Sequence, residues 1–238
     1  MRRLLLLAVL SLLAACGGAS DQAPVTVYAA ASLREVFPAI DPDARFNFAG
    51  SNQLQTQIER GAPADVFASA SAREPEALHA AGRCSRPVPF ASNAVVLLVP
   101  AGNPGRVTSL ESLASGPRRR LAVGAADVPV GKYTRELLQR AGLSEILGRH
   151  TVSNEANVAG ITSKVALGSA DAGFAYNTDA RASGDRVEVL RLPSELQPQI
   201  RYLLCAVTER GQGFIERVTS PEARRVLERE GFGPPPGT

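Results

Sequence analysis

Apolar residues along this chain fall into short runs closed by turn residues, and stretches with helical spacing lie between them. The runs predict strands at VTVYA (25–29), RFNFA (45–49), DVFAS (65–69), NAVVLLVP (93–100), LAVG (121–124) and AGFAY (172–176), with later ones at VEVLRL (187–192) and QIRYLLCAV (199–207). Strands alternating with helices are the pattern of parallel sheets flanked by helices. The helices carry their own punctuation. Ser32 with Glu35 and Ser71 with Glu74 have the spacing of a capping box, Gly61, Gly82 and Gly142 close helical runs, and Ser220 followed by Pro221 opens the last helix. After Gly231 the ending GFGPPPGT reads as extended or disordered, with residues 233–238 a flexible tail.

The order of these elements predicts an α/β chain of two lobes, each a mixed, mostly parallel sheet flanked by helices. Residues 25–90 with 193–232 would form one lobe and 91–192 the other, because QIRYLLCAV can return the chain to its first sheet. Two crossings between lobes make a two-strand hinge with a cleft. Ligands of open α/β sheets sit beyond the carboxyl ends of the strands. AAASL, FAGS and the turn after LAVG fall there, and AAASL (29–33), FAGSNQL (48–54) and NEANVAG (154–160) each place a small hydroxyl or a bare amide at the first turn of a helix. Helix starts offer unpaired N–H groups and partial positive charge, so several converging on one cleft suit an anion without lysine or arginine. Taken singly, Ser32 and Ser51 are adequately read as helix caps, Tyr176 as a core aromatic, and Val158 has only its backbone N–H to offer.

The chain begins MRRLLLLAVLSLLAAC, a basic start followed by an apolar run too short for a permanent membrane span. Residues 1–15 read as a signal peptide, and Leu13 to Cys16 resemble the lipobox of bacterial lipoproteins, in which the cysteine is acylated after cleavage. Residues 16–24 then form a lipidated tether and the body is extracytoplasmic, on the periplasmic side or the cell surface. An ordinary secretory signal is the alternative. Arg2 and Arg3 account for two units of the chain's formal net charge of +3, so the exported body is nearly neutral and lacks the basic excess of a nucleic-acid binder. The run Arg118 to Arg120 reads as a solvated loop. An apolar content of 45 % suits a soluble globule. Cys84 and Cys205 are left as a single pair in a compartment that permits disulfides. A bond between them is the expectation and two isolated thiols the alternative.

Signatures of catalysis are scarce. His79 and His150 have no cysteine or carboxylate at metal-ligand spacing and read as surface positions. No GxSxG occurs, and an exported enzyme using Ser32 as nucleophile would lack a base nearby. GAADVPVGK (124–132) has the wrong glycine spacing for a phosphate loop, and Tyr133 stands where Ser or Thr is required. Asp41 with Asp43 and Glu228 with Glu230 read as solvated pairs, and Asp65 as a structural turn residue.

The stretches VTVYAAASL, FAGSNQLQTQIERGAPADVFASA, LAVGAADVPVGKY, ADAGFAYNTDA and SPEARRVLEREGF resemble the periplasmic molybdate-binding proteins of ABC importers. The likeness runs through nearly the whole exported chain, with GAPADVFASA and AAASL together its most specific part. It implies a type II periplasmic binding protein fold closing around a tetrahedral oxyanion, with no catalysis and no cofactor. It also implies molybdate or tungstate as ligand, an ABC permease as partner and a monomer. A receptor for another tetrahedral oxyanion such as sulfate is the nearest alternative. Carried over by motif, the ligand-binding set is Ser32, Ser51, the backbone donors of Val130 and Val158, and Tyr176. Val130 stands where the family's turn commonly has alanine, and Gly50 and Asn52 where hydroxyl residues are frequent.

Overall fold

The computed structural model describes residues 23–235. The expected signal segment 1–15, the expected lipidation site Cys16, most of the expected tether and the last three residues lie outside that range.

Ten strands form two five-stranded sheets. They are β1 (Thr26–Ala30), β2 (Arg45–Ala49), β3 (Val66–Ser69), β4 (Val88–Asn93), β5 (Val95–Pro100), β6 (Leu121–Gly124), β7 (Thr151–Glu155), β8 (Ala172–Tyr176), β9 (Val187–Arg191) and β10 (Ile200–Ala206). The first sheet has the order β2-β1-β3-β10-β4 and the second β7-β6-β8-β5-β9. Each is mixed, but the parallel share is smaller than expected. In the first, β1 pairs in parallel with β2 and β3 while β10 runs antiparallel to β3 and β4; the second repeats this with β6 and β5. The antiparallel strands are those at or beside the two crossings, where the chain changes sheet.

Two strands were not foreseen. β4, VPFASN, contains Pro89, which is tolerated at a sheet edge but disguises a strand in sequence. Its last residue, Asn93, had been merged with the following apolar run, yet the chain changes sheet at Ala94. β7, TVSNE, is polar and lies at the edge of the second sheet with only one strand beside it, so it needs no apolar run. β5, by contrast, is buried at every position, as a strand covered on both faces must be.

The second crossing runs from β9 to β10. Gln197, within it, ties the two crossings together: its side-chain carbonyl accepts from Val95 N at 2.9 Å and its amide donates to Val95 O at 2.9 Å. Cys84 and Cys205 are joined by a disulfide with Cα atoms 5.8 Å apart, linking the segment before β4 to β10. Asp65 is a structural carboxylate. It accepts from Thr26 N at 2.9 Å and from the Thr208 hydroxyl at 2.6 Å, and so staples three segments of the first lobe.

Several expectations need correction. Ser32 does not cap a helix; it sits inside a 3-10 turn, Ala31–Leu33, with no side-chain cap. His150 is not a surface residue but fully buried, its Nδ1 accepting from Arg119 N at 3.0 Å. The basic run is not simply solvated, since Arg119 Nε donates to Gly105 O at 2.5 Å and Arg120 pairs with Asp171 at 2.6 Å. Gly233, assigned to the tail, forms a two-way backbone bridge to Ser92, and Phe232 before it is buried edge-on against Tyr202, ring centroids 5.4 Å apart. The tail therefore begins later than its composition suggested.

Phe232 is thus part of the first lobe's core, and its truncation leaves a cavity beside Tyr202. Phe232→Ala is expected to cost about 3 kcal/mol, a fall in Tm of roughly 6 to 12 °C for a chain of this size. A calorimetric fall below about 2 °C would show the residue to be peripheral.

Candidate oxyanion site

The parallel strands of both sheets point their carboxyl ends at one place. From the first lobe β1 delivers Ala30 to Ser32, β2 delivers Ala49 to Ser51, and β3 delivers Ala70. From the second, β6 leads to Val128 to Val130, β7 to Asn157 and Val158, and β8 to Tyr176. All of these line a single cavity of about 20 Å³. That is the scale of one compact guest and far below the hundreds of Å³ of an organic-ligand pocket. The five residues named from sequence, Ser32, Ser51, Val130, Val158 and Tyr176, are all among its walls.

None of the described residues lining it carries a charge. What they present is a set of hydrogen-bond donors. Val130 is the second residue of the helix Pro129–Arg140 and Val158 the first of Val158–Ala166, so neither N–H has an acceptor in its own helix. Ser51 opens the helix Ser51–Glu59 but does not cap it. Its Oγ instead accepts from Ala70 N at 3.1 Å, so its own proton is left for a guest. Tyr176 is 1 % exposed, and its hydroxyl has no hydrogen-bond partner among the described residues. Burial, together with nearby Tyr202 and Tyr133, raises its pKa well above the usual phenol value. It stays protonated and can donate. Ser32 Oγ shares a hydrogen bond of 2.9 Å with the hydroxyl of Tyr202, a residue of β10 that sequence reading did not select. Nothing in QIRYLLCAV sets Tyr202 apart from an ordinary core position. Asn157 was also passed over. Its side chain caps the Val158 helix by accepting from Gly160 N at 3.2 Å, and Asn before a helix is a signal that could have been read.

The lobes meet around this cavity. Gly50 approaches the second lobe so closely that an added Cβ would lie 2.4 Å from Ala156 O. Gly131 is equally confined, its virtual Cβ falling 2.0 Å from Ala125 O. Asn52 Nδ2 donates to Asp127 Oδ2 across the cleft at 2.7 Å, and Lys132 meets the buried Glu74 at 3.3 Å. Glu74 also accepts from the hydroxyls of Ser69 and Ser71, so the Ser71–Glu74 spacing seen in sequence makes a side-chain bond and not a helix cap.

Behind Ser32 a larger cleft of about 300 Å³ is lined by Asp179 among others. Asp179 Oδ2 accepts from Tyr176 N at 3.2 Å, and removal from water pushes its carboxyl up to about 7. Ser32 has no histidine or carboxylate bonded to it, so the nucleophile reading has no base to support it.

The matches to known proteins agree with this geometry. Residues 25–233 match the family model described as bacterial extracellular solute-binding protein. The molybdate-binding protein ModA of Mycobacterium tuberculosis H37Rv is 34 % identical over 227 residues, covering 89 % of this chain and 85 % of the relative. ModA of Escherichia coli K12 is 30 % identical over 250 residues, covering 94 % and 95 %. The solved periplasmic molybdate-binding protein of Azotobacter vinelandii superposes with a TM-score of 0.77 at 22 % identity, over 89 % of this chain and 99 % of that one.

A raised carboxyl pKa has a definite sign in stability. Between about pH 4 and pH 7 the folded chain holds the Asp179 proton and the unfolded chain does not, so this contribution is full below that window and lost as pH rises through it. Relative to Asp179→Asn, which keeps an acceptor for Tyr176 N, the unsubstituted protein should lose Tm between about pH 4 and pH 7. Parallel melting curves for the two proteins would refute the buried-acid assignment.

The chain belongs to the bacterial extracellular solute-binding proteins, in the ModA-like group of non-catalytic, extracytoplasmic substrate-binding proteins of ABC transporters.

Proposed function

We propose that this protein captures molybdate or tungstate in the interlobe cavity and hands it to the permease of an ABC importer. The observation that carries the reading is a small, uncharged cavity to which both lobes contribute groups able to donate hydrogen bonds. An ion stripped of water without partners would cost far more than folding can supply, so every oxygen of a buried dianion must meet a donor. Hydroxyls and amides meet that need and take no proton from the guest. Molybdate and tungstate are fully deprotonated near neutral pH and fit such a lining. Hydrogen phosphate brings a proton that needs an acceptor, and a wall without a carboxylate leaves it poorly paired. Sulfate offers the same charge on a smaller ion and is disfavoured by fit.

Ser32 and Ser51 come from one lobe, and Val130, Val158 and Tyr176 from the other. The donor set is therefore complete only when the lobes meet, and the guest favours that arrangement by its differential affinity for it. The joined surface is what the permease would recognise. Cys16, acylated after removal of residues 1–15, would hold the monomeric protein to the membrane through the tether 16–24.

Calorimetric titration with molybdate, tungstate, sulfate and phosphate tests the reading. The first two should bind tightly and phosphate not at all; phosphate binding as tightly as molybdate would overturn it. Tyr176→Phe removes one donor to a charged guest and should weaken molybdate roughly 10- to 100-fold. Because that hydroxyl has no partner among the described residues, the ligand-free Tm should hold or rise. A fall in Tm with affinity unchanged would contradict the assignment.

A further inference from the structure

We propose that Asn93 and Tyr202 form a hydrogen-bond relay that compels Ser32 to donate into the cavity. The inference rests on the oxyanion reading of that cavity and adds to it the groups that set one donor's direction.

The argument is one of proton accounting. Asn93 Oδ1 and Nδ2 are told apart by their neighbours. Ala94 N lies 2.9 Å from one of them, and a backbone N–H can only donate, so that atom is the carbonyl oxygen. The other is therefore the amide nitrogen, which carries only protons. It donates to Thr178 Oγ1 at 3.0 Å and to the Tyr202 hydroxyl at 3.3 Å. With that proton arriving on its oxygen, the Tyr202 hydroxyl has one remaining contact for its own proton, Ser32 Oγ at 2.9 Å. Ser32 thereby accepts from Tyr202, and its own proton is free to turn to a guest in the small cavity, although Ser32 borders the larger cleft as well.

The relay starts in the crossing segment and ends in the site. Asn93 is the last residue of β4, and Ala94, whose N–H fixes the amide, is where the chain changes sheet. Tyr202 sits at a break in register between β10 and β4, Tyr202 facing Ala91 and Leu203 facing Pro89. Such irregularities re-aim side chains. Its ring is held edge-on by Phe90, Tyr176 and Phe232, so the hydroxyl has little freedom to turn elsewhere. Ser51 reaches the same result by another route, with Ala70 N filling its acceptor. Both serines are thus primed as donors by protein groups behind them.

Tyr202 is a positioning residue, acting on the guest only through Ser32, and a double-mutant cycle reads that dependence. Tyr202→Phe keeps the ring contacts and should weaken molybdate about tenfold by calorimetry. In the Ser32→Ala background the same substitution should change affinity by less than about twofold. Equal losses in both backgrounds, or no loss in either, overturn the relay. A neutron structure of the ligand-free protein gives a reading independent of binding. A deuteron on the Tyr202 hydroxyl aimed at Ser32 Oγ upholds the relay, and a Ser32 deuteron aimed at Tyr202 overturns it. If the unsubstituted protein binds no molybdate, the functional reading falls while the neutron map still decides the relay.

Discussion

A doubly charged ion leaves water only where every oxygen finds a donor, and that requirement organises the site. Lysines or arginines would supply charge, but they also bring freedom and indifference to whether a guest carries protons. The cavity instead uses backbone amides at helix starts and neutral hydroxyls. Ala70 N occupies an acceptor position on Ser51 Oγ, and the buried Tyr176 hydroxyl has no partner among the described residues that would compete for its proton. The selectivity proposed for the protein is thus written in proton positions more than in cavity size.

The fold serves that requirement by bringing the carboxyl ends of six strands, three from each sheet, to one place. Neither lobe holds a full set. The close approach of Gly50 to Ala156 and the contacts Asn52–Asp127 and Lys132–Glu74 border the cavity, so lobe contact and donor convergence are geometrically one event. Gln197 ties the crossings together beneath them.

Much of this was legible from sequence, for physical reasons. Apolar runs such as VVLLVP announce buried strands because burial on both faces leaves few alternatives. Ser32, Ser51 and Val158 lie in AAASL, FAGS and the NV turn, which combine strand ends with helix starts, but the full set with Val130 and Tyr176 came from the family resemblance. What escaped notice was context. VPFASN and TVSNE lie at sheet edges, where polar residues and proline are tolerated. Tyr202 looks like any core aromatic until its hydroxyl is seen beside Ser32. Phe232 lies in a stretch rich in glycine and proline, and only the fold reveals the lobe that it completes. The capping-box spacing of Ser32 and Glu35 does not make a cap, because local spacing cannot show that a side chain bonds a residue 170 positions away.

The central claim is that the guest arrives without protons and exchanges none. Calorimetry of molybdate binding in buffers of differing ionisation enthalpy counts the protons taken up or released. Above the range in which Asp179 titrates, at about pH 8.5, the count should be close to zero. Uptake or release of about one proton per ion bound would mean that an acceptor or an ionising group faces the guest, and the donor-only description of the cavity would be wrong.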